Sequence, residues 1–149
     1  MLIDSGDIIR ALGYLALYAA YTEEAIDECI STLIKHDPKP PKNLQKYPFS
    51  QKIEYIKQQI ELKPLTQELQ HFPKLLDYLT DLFEERNLII HGRIYGSLQG
   101  KADILRPGRP SGSEREITSG ELIDLANQFF ETLNPLNQAA FHSLHRYLK

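Results

Sequence analysis

The sequence predicts an all-α fold: a four- to five-helix bundle with a long Gly/Pro-containing loop or small hairpin before the last helix. Three observations predict it. Apolar residues recur at helical intervals in four separate stretches. Six of the eight glycines collect between Gly92 and Gly120. At 149 residues with 42% apolar content, the chain has the size of one domain, 1–149, with its own core.

The first stretch, Asp4 to about Ile34, places Ile8, Leu12, Leu15, Ala19, Ile26, Ile30 and Leu33 on one helical stripe. Its middle, "ALGYLALYAAY", is apolar or aromatic on every side, which predicts burial all round, within one chain or against a second copy. The segment "HDPKPPKNLQKYP" has no period and predicts an exposed connection with solvated lysines. Ser50 is then placed to cap a short helix whose Ile53, Ile56 and Ile60 share a face. Pro73 opens a third helix, "PKLLDYLTDLFEERNLIIH", which stops at Gly92, a residue suited to a left-handed cap. From Gly92 to Gly120 glycine and proline exclude helix, and a loop or a hairpin of uncertain register is expected. Thr118 and Glu121 form a capping box for a last helix running to the end, which Pro135 must bend or split.

The only cysteine, Cys29, rules out an internal disulfide, and the first residues lack a secretory signal, so a cytoplasmic location is expected. The most apolar run, Ala11 to Tyr21, is too short to span a bilayer, and no membrane partner is expected. A net charge of −3 argues against a broad basic surface for nonspecific duplex binding, while leaving room for a local cationic patch. No Walker loop, dinucleotide fingerprint, zinc motif or nucleophile elbow occurs, and no cofactor or metal is expected. His142 and His145 lie three apart but lack a third ligand at metal spacing, and read as a surface pair.

One residue breaks the pattern of the third helix. On a wheel advancing about 100° per residue from Leu76, Arg86 falls near 280°, amid Leu79, Phe83 and Ile90. A guanidinium stays charged, so this position requires a carboxylate, a bound anion or a wet cleft. Asn87 and His91 follow on the flank of the same face, one turn apart. Arg86 and His91 are about 140° apart, and two facing copies of the helix would bring them together better than one.

The string "RNLIIH", Arg86 to His91, resembles the R-x4-6-H motif of the HEPN superfamily, named for higher eukaryotes and prokaryotes nucleotide-binding. The long first helix, the terminal helix, and the motif's place at a helix end are similar as well, so the likeness covers most of the chain. The resemblance implies metal-independent endoribonuclease activity, as in toxin–antitoxin or antiphage systems, from a composite site shared by a homodimer. It implies Arg86 and His91 as catalytic residues and Asn87 as their polar neighbour. In some members a tyrosine two positions after the histidine is modified by a partner nucleotidyltransferase acting as antitoxin; here that position is Arg93, and the tyrosine is Tyr95.

The chemistry also stands without the family. RNA carries its own nucleophile, the 2′-hydroxyl, and a histidine can move the proton in attack on phosphorus. An arginine fork stabilises the charge gathered on the phosphoryl oxygens. Asn87 can orient the imidazole or hold a phosphate oxygen. Products would be a 2′,3′-cyclic phosphate and a 5′-hydroxyl. The following loop carries Arg93, Lys101, Arg106, Arg109 and Arg115 against three carboxylates, a rim for RNA phosphates, with Tyr95 placed to stack on a base.

Each feature has a plainer alternative. Arg86 can pair internally with Glu23, Glu24 or Asp27; His91 can simply face the helix dipole; the loop cations can be solvated. A non-catalytic HEPN-like module binding a nucleotide or partner protein, or a purely structural helical dimer, fits the same fold.

Overall fold

The first helix starts later than the expected Asp4. Gly6 adopts a left-handed φ of 79°, with its N–H donating to Asp4 Oδ1 at 2.9 Å. Asp7 Oδ1 then accepts from the N–H groups of Ile9 and Arg10, both at 3.0 Å, so Asp7 is the cap and α1 spans Ile8–Ile34. The computed structural model describes residues 1–96, 102–108 and 112–149. Helix α2 is Phe49–Ile60; it follows Pro48 directly, and Ser50 lies inside its first turn rather than capping it. Helix α3 is Phe72–Ile90, with Pro73 in the first turn, where its missing N–H costs nothing. Helix α4 is Ser119–Gln138, and the Glu121 N–H donates to Thr118 Oγ1 at 3.1 Å as the capping box requires. It runs through Pro135, widens into a π-turn at Ala139–Ser143 and closes with the short α5, Leu144–Tyr147.

The interval expected to be a loop or hairpin contains a three-stranded antiparallel sheet, β1 (Arg93–Tyr95), β2 (Asp103–Arg106) and β3 (Arg115–Ile117), in the order β1-β2-β3. The protein is therefore mostly helical with a small sheet. Arg93 pairs with Arg106, Ile94 with Leu105 and Tyr95 with Ile104; Asp103 pairs with Ile117 and Leu105 with Arg115. Strand alternation then sorts the side chains into two sets: Ile94, Asp103, Leu105, Arg115 and Ile117 share one face, and Arg93, Tyr95, Ile104, Arg106 and Glu116 the other. Leu105 and Ile117 are buried, which identifies the first face as the core side.

Two compact units divide the chain, and the division falls within α1, α3 and α4. Met1–Ala19 with Asp81–Phe130 builds a core from Leu15, Phe83, Leu105, Ile117, Leu122 and Phe129. There Phe83 and Phe129 meet edge to face at 5.1 Å, a geometry that aligns ring edge with ring face. Asn127 ties down the N-terminus, accepting from the Leu2 N–H at 2.8 Å and donating to the Leu2 carbonyl at 3.1 Å. Ala20–Thr80 with Glu131–Lys149 is built on Ile26, Ile30, Leu33, Ile56, Leu76 and Leu79, with the three isoleucines of α2 buried on one face as the periodicity predicts. His145 of this unit lies with Nε2 3.5 Å from Thr32 Oγ1.

The same unit buries a charge that its sequence does not advertise. Lys52 is 2% exposed, and its Nζ lies 3.2 Å from Glu23 Oε1 and 2.7 Å from Asp27 Oδ1. The shorter approach falls outside hydrogen-bond angles, so the attraction there is between charges rather than along an N–H. Within the single chain, the expected burial all round Ala11 to Tyr21 is met in part: Ala11, Leu15 and Ala19 are buried, whereas Leu17 and Tyr21 are exposed.

Candidate active site at the end of the third helix

Arg86 sits on the last turns of α3, half-buried because Phe83 and Ile89 on the same helix face inward. Its Nη1 donates to Asn87 Oδ1 at 2.8 Å. Its Nε is buried and has no hydrogen-bond partner among the described residues. No carboxylate among them pairs with it, and two of the acids expected as its partners, Glu23 and Asp27, are held by Lys52. A buried donor left unmade costs about 1–3 kcal/mol, so the position is one that an acceptor would relieve. Asn87, itself exposed, presents its carbonyl oxygen to the arginine rather than to the histidine, and thereby fixes the fork.

His91 is exposed at the helix end, its N–H still donating to the Asn87 carbonyl at 3.1 Å. The chain leaving β2 packs onto its backbone. The Gly108 N–H donates to the Leu88 carbonyl at 3.1 Å, satisfying one of the last carbonyls of the helix. A Cβ at Gly108 would lie 2.9 Å from His91 Cβ, so only glycine fits there without displacement. Gly92 has a related duty, which corrects the expected left-handed cap. Its φ is not positive; instead, a Cβ there would lie 2.5 Å from the Arg106 carbonyl and 2.7 Å from that of Leu88. Close approach of β2 to the helix end, not backbone handedness, requires glycine. No hydrogen bond joins Arg86 to His91 among the described residues.

The cations of the loop are not equivalent. Arg115 is clasped between Glu121 Oε2 at 2.7 Å and Glu85 Oε1 at 3.3 Å, which pins β3 to α3 and α4 and neutralises its charge. Arg106 pairs with Glu114 at 2.7 Å and lies 5.7 Å from the Tyr95 ring centroid. Arg93 is exposed and has no carboxylate partner among the described residues. It stands directly across the strand pair from Arg106, an arrangement of like charges that an anion would favour. Tyr95 is 44% exposed on the same face. Lys101 and Arg109 lie outside the described residues. Of the described cations expected to form a rim, Arg93 is the one without a carboxylate partner among the described residues, Arg106 is shared with Glu114, and Arg115 is held by Glu85 and Glu121.

A cavity of about 410 Å³ opens beside the helix end, between the start of α1 and the sheet. Ile8, Leu12, Ile90 and Ile94 supply its apolar walls, Gly92 lies along it, and Asp103 is the one charged residue among the described residues that line it. In the sequence Asp103 is one of the three carboxylates, with Glu114 and Glu116, that offset the loop cations; its inward orientation follows from a register that composition does not reveal. Compared with known families and proteins, the chain matches no family model, no curated protein and no solved structure.

Proposed function

We propose that the protein is a metal-independent endoribonuclease with a HEPN-like helical fold, acting in the cytoplasm as a toxin or antiphage component from a composite site at a homodimer interface. One observation carries this reading: Arg86 is a permanent cation set into an apolar helix face, oriented by Asn87, with a buried Nε that no described residue satisfies. A phosphate oxygen is the acceptor its planar fork suits best. His91, exposed on the following turn, takes the proton of the 2′-hydroxyl or gives one to the leaving 5′-oxygen. Asn87 is a positioning residue acting through the arginine. Arg93 and Tyr95 extend the track for the strand. The exposed Leu17 and Tyr21 of α1 support pairing of two copies, which the 140° separation of Arg86 and His91 also favours.

The test is RNA cleavage in excess chelator: the wild type cuts, leaving 2′,3′-cyclic phosphate ends, and Arg86→Ala and His91→Ala do not. Equal activity in all three removes the site assignment. A second reading is favoured by the lack of any bond between Arg86 and His91: a non-catalytic module that holds a nucleotide or a partner, such as an antitoxin, on the same arginine. Nucleotide binding lost in Arg86→Ala but retained in His91→Ala, with no cleavage by the wild type, selects it.

A further inference from the structure

We propose that the cavity beside His91 is a base pocket for guanine, with Asp103 reading the base's Watson–Crick edge; the proposal rests on the ribonuclease reading for the RNA that supplies the base. The two residues flanking His91 in the chain, Ile90 and Gly92, both line the cavity, so a nucleotide whose phosphate lies at the histidine has this cavity next to it. Its volume of about 410 Å³ accommodates a purine, and it falls in the range of small-ligand sites, roughly 300–1,000 Å³. Ile8, Leu12, Ile90 and Ile94 offer aliphatic surface to the faces of a planar ring, while glycine at 92 and 96 keeps side chains out of its path.

Asp103 decides which base. It lies on the core face of β2, between strands whose neighbouring positions on that face are Ile94, Leu105 and Ile117. No hydrogen bond or ion pair among the described residues engages its carboxylate, although it is only partly exposed and its cavity neighbours are apolar. A carboxylate is an acceptor at both oxygens and therefore matches two adjacent donors. Guanine alone presents such a pair, N1–H beside the N2 amino group. Adenine and cytosine each set one amino donor beside a ring-nitrogen acceptor, and uracil flanks its single N–H with two carbonyls, so all three turn a lone pair toward Asp103. A bare ammonium ion would satisfy the carboxylate but leave the aliphatic walls uncovered.

The experiment has two arms. In the first, guanosine, adenosine, cytidine and uridine 5′-monophosphates are titrated into the intact protein, with the isoleucine methyl signals followed by NMR. Guanosine monophosphate is expected to bind at least about tenfold more tightly than the other three and to shift Ile8, Ile90 and Ile94. Asp103→Asn, which presents one donor and one acceptor, is expected to move the preference to adenosine or cytidine. A change of preference, unlike a loss, requires a folded pocket. Leu12→Trp, which fills the cavity, is expected to abolish the methyl shifts. Equal binding of all four nucleotides, no binding, or a guanosine preference that survives in Asp103→Asn overturns the proposal. In the second arm, cleavage sites are mapped on a mixed-sequence RNA. Cuts beside guanosine that move in Asp103→Asn support the pocket; cuts without base preference overturn it and leave the ribonuclease reading intact. Selective guanosine monophosphate binding with no RNA cleavage sustains the pocket and sinks the ribonuclease reading.

Discussion

Replacing Lys52 with methionine keeps the length of the side chain and deletes its charge, so it isolates what the ammonium contributes. Removing one partner of a fully buried ion pair costs about 3–5 kcal/mol, because the remaining charge is left without company. Here Glu23 and Asp27 keep 40% and 35% of their side-chain surface, so both rehydrate, and a discounted cost of about 1–3 kcal/mol is expected. In urea that lowers the unfolding midpoint by about 1 M. The triple variant Lys52→Met/Glu23→Gln/Asp27→Asn should recover most of the loss, since no bare carboxylates remain. The pH dependence has a fixed sign. Burial pushes the Lys52 ammonium down, but the adjacent carboxylates of Asp27, and then Glu23, outweigh it and hold the pKa above the ordinary 10.5. A raised folded pKa means that the pair's stabilisation is complete below about 10.5 and fades as pH climbs through the folded value. Urea unfolding followed by circular dichroism at neutral and strongly alkaline pH measures both effects. An unchanged midpoint in Lys52→Met, or a triple variant no better than the single one, would refute the reasoning.

Two further outcomes follow from the site. Asn87→Asp places a carboxylate on the Arg86 fork, so folding stability should change by less than about 1 kcal/mol while RNA affinity falls and the salt dependence of binding weakens by about one charge; filter binding across a salt series measures it, and an undiminished slope would count against Arg86 as a phosphate ligand. Gly92→Ala would ordinarily stabilise a helix end, but with its Cβ 2.5 Å from the Arg106 carbonyl it should instead cost about 1–3 kcal/mol, read as a fall of roughly 2–12 °C in Tm; an unchanged or raised Tm removes the close-approach explanation.

The helices were readable because their cores are periodic: Ile53, Ile56 and Ile60, or Leu76, Leu79 and Phe83, bury at the spacing at which they are written. Arg86 was readable for the same reason, as an exception to its own stripe. The sheet was not, because its strands hold only three or four residues and its pairing joins Arg93 to Arg106 across an intervening glycine-rich stretch. Two arginines facing each other give no local signal of attraction. Lys52 was hidden because a lysine on an amphipathic helix usually snorkels to solvent, and only the arrival of Glu23 and Asp27 from another helix makes its burial tolerable. The helix α1 begins at Ile8 rather than at Asp4 because Gly6 turns the chain in a left-handed conformation and Asp7 takes the capping hydrogen bonds. At Gly92 the helix end is legible but the cause of the glycine is not, since steric approach by a distant carbonyl leaves no trace in the neighbouring letters.

The fit of Gly108 against His91 has a consequence for how this protein can change. A hairpin whose return strand leads onto the backbone of His91 cannot be exchanged as a free-standing module: any side chain introduced at the point of rest is transmitted to the imidazole-bearing carbon as a displacement. Attempts to graft a different recognition loop onto this scaffold should therefore preserve both bare positions, 92 and 108, and vary only the outward-facing residues between them.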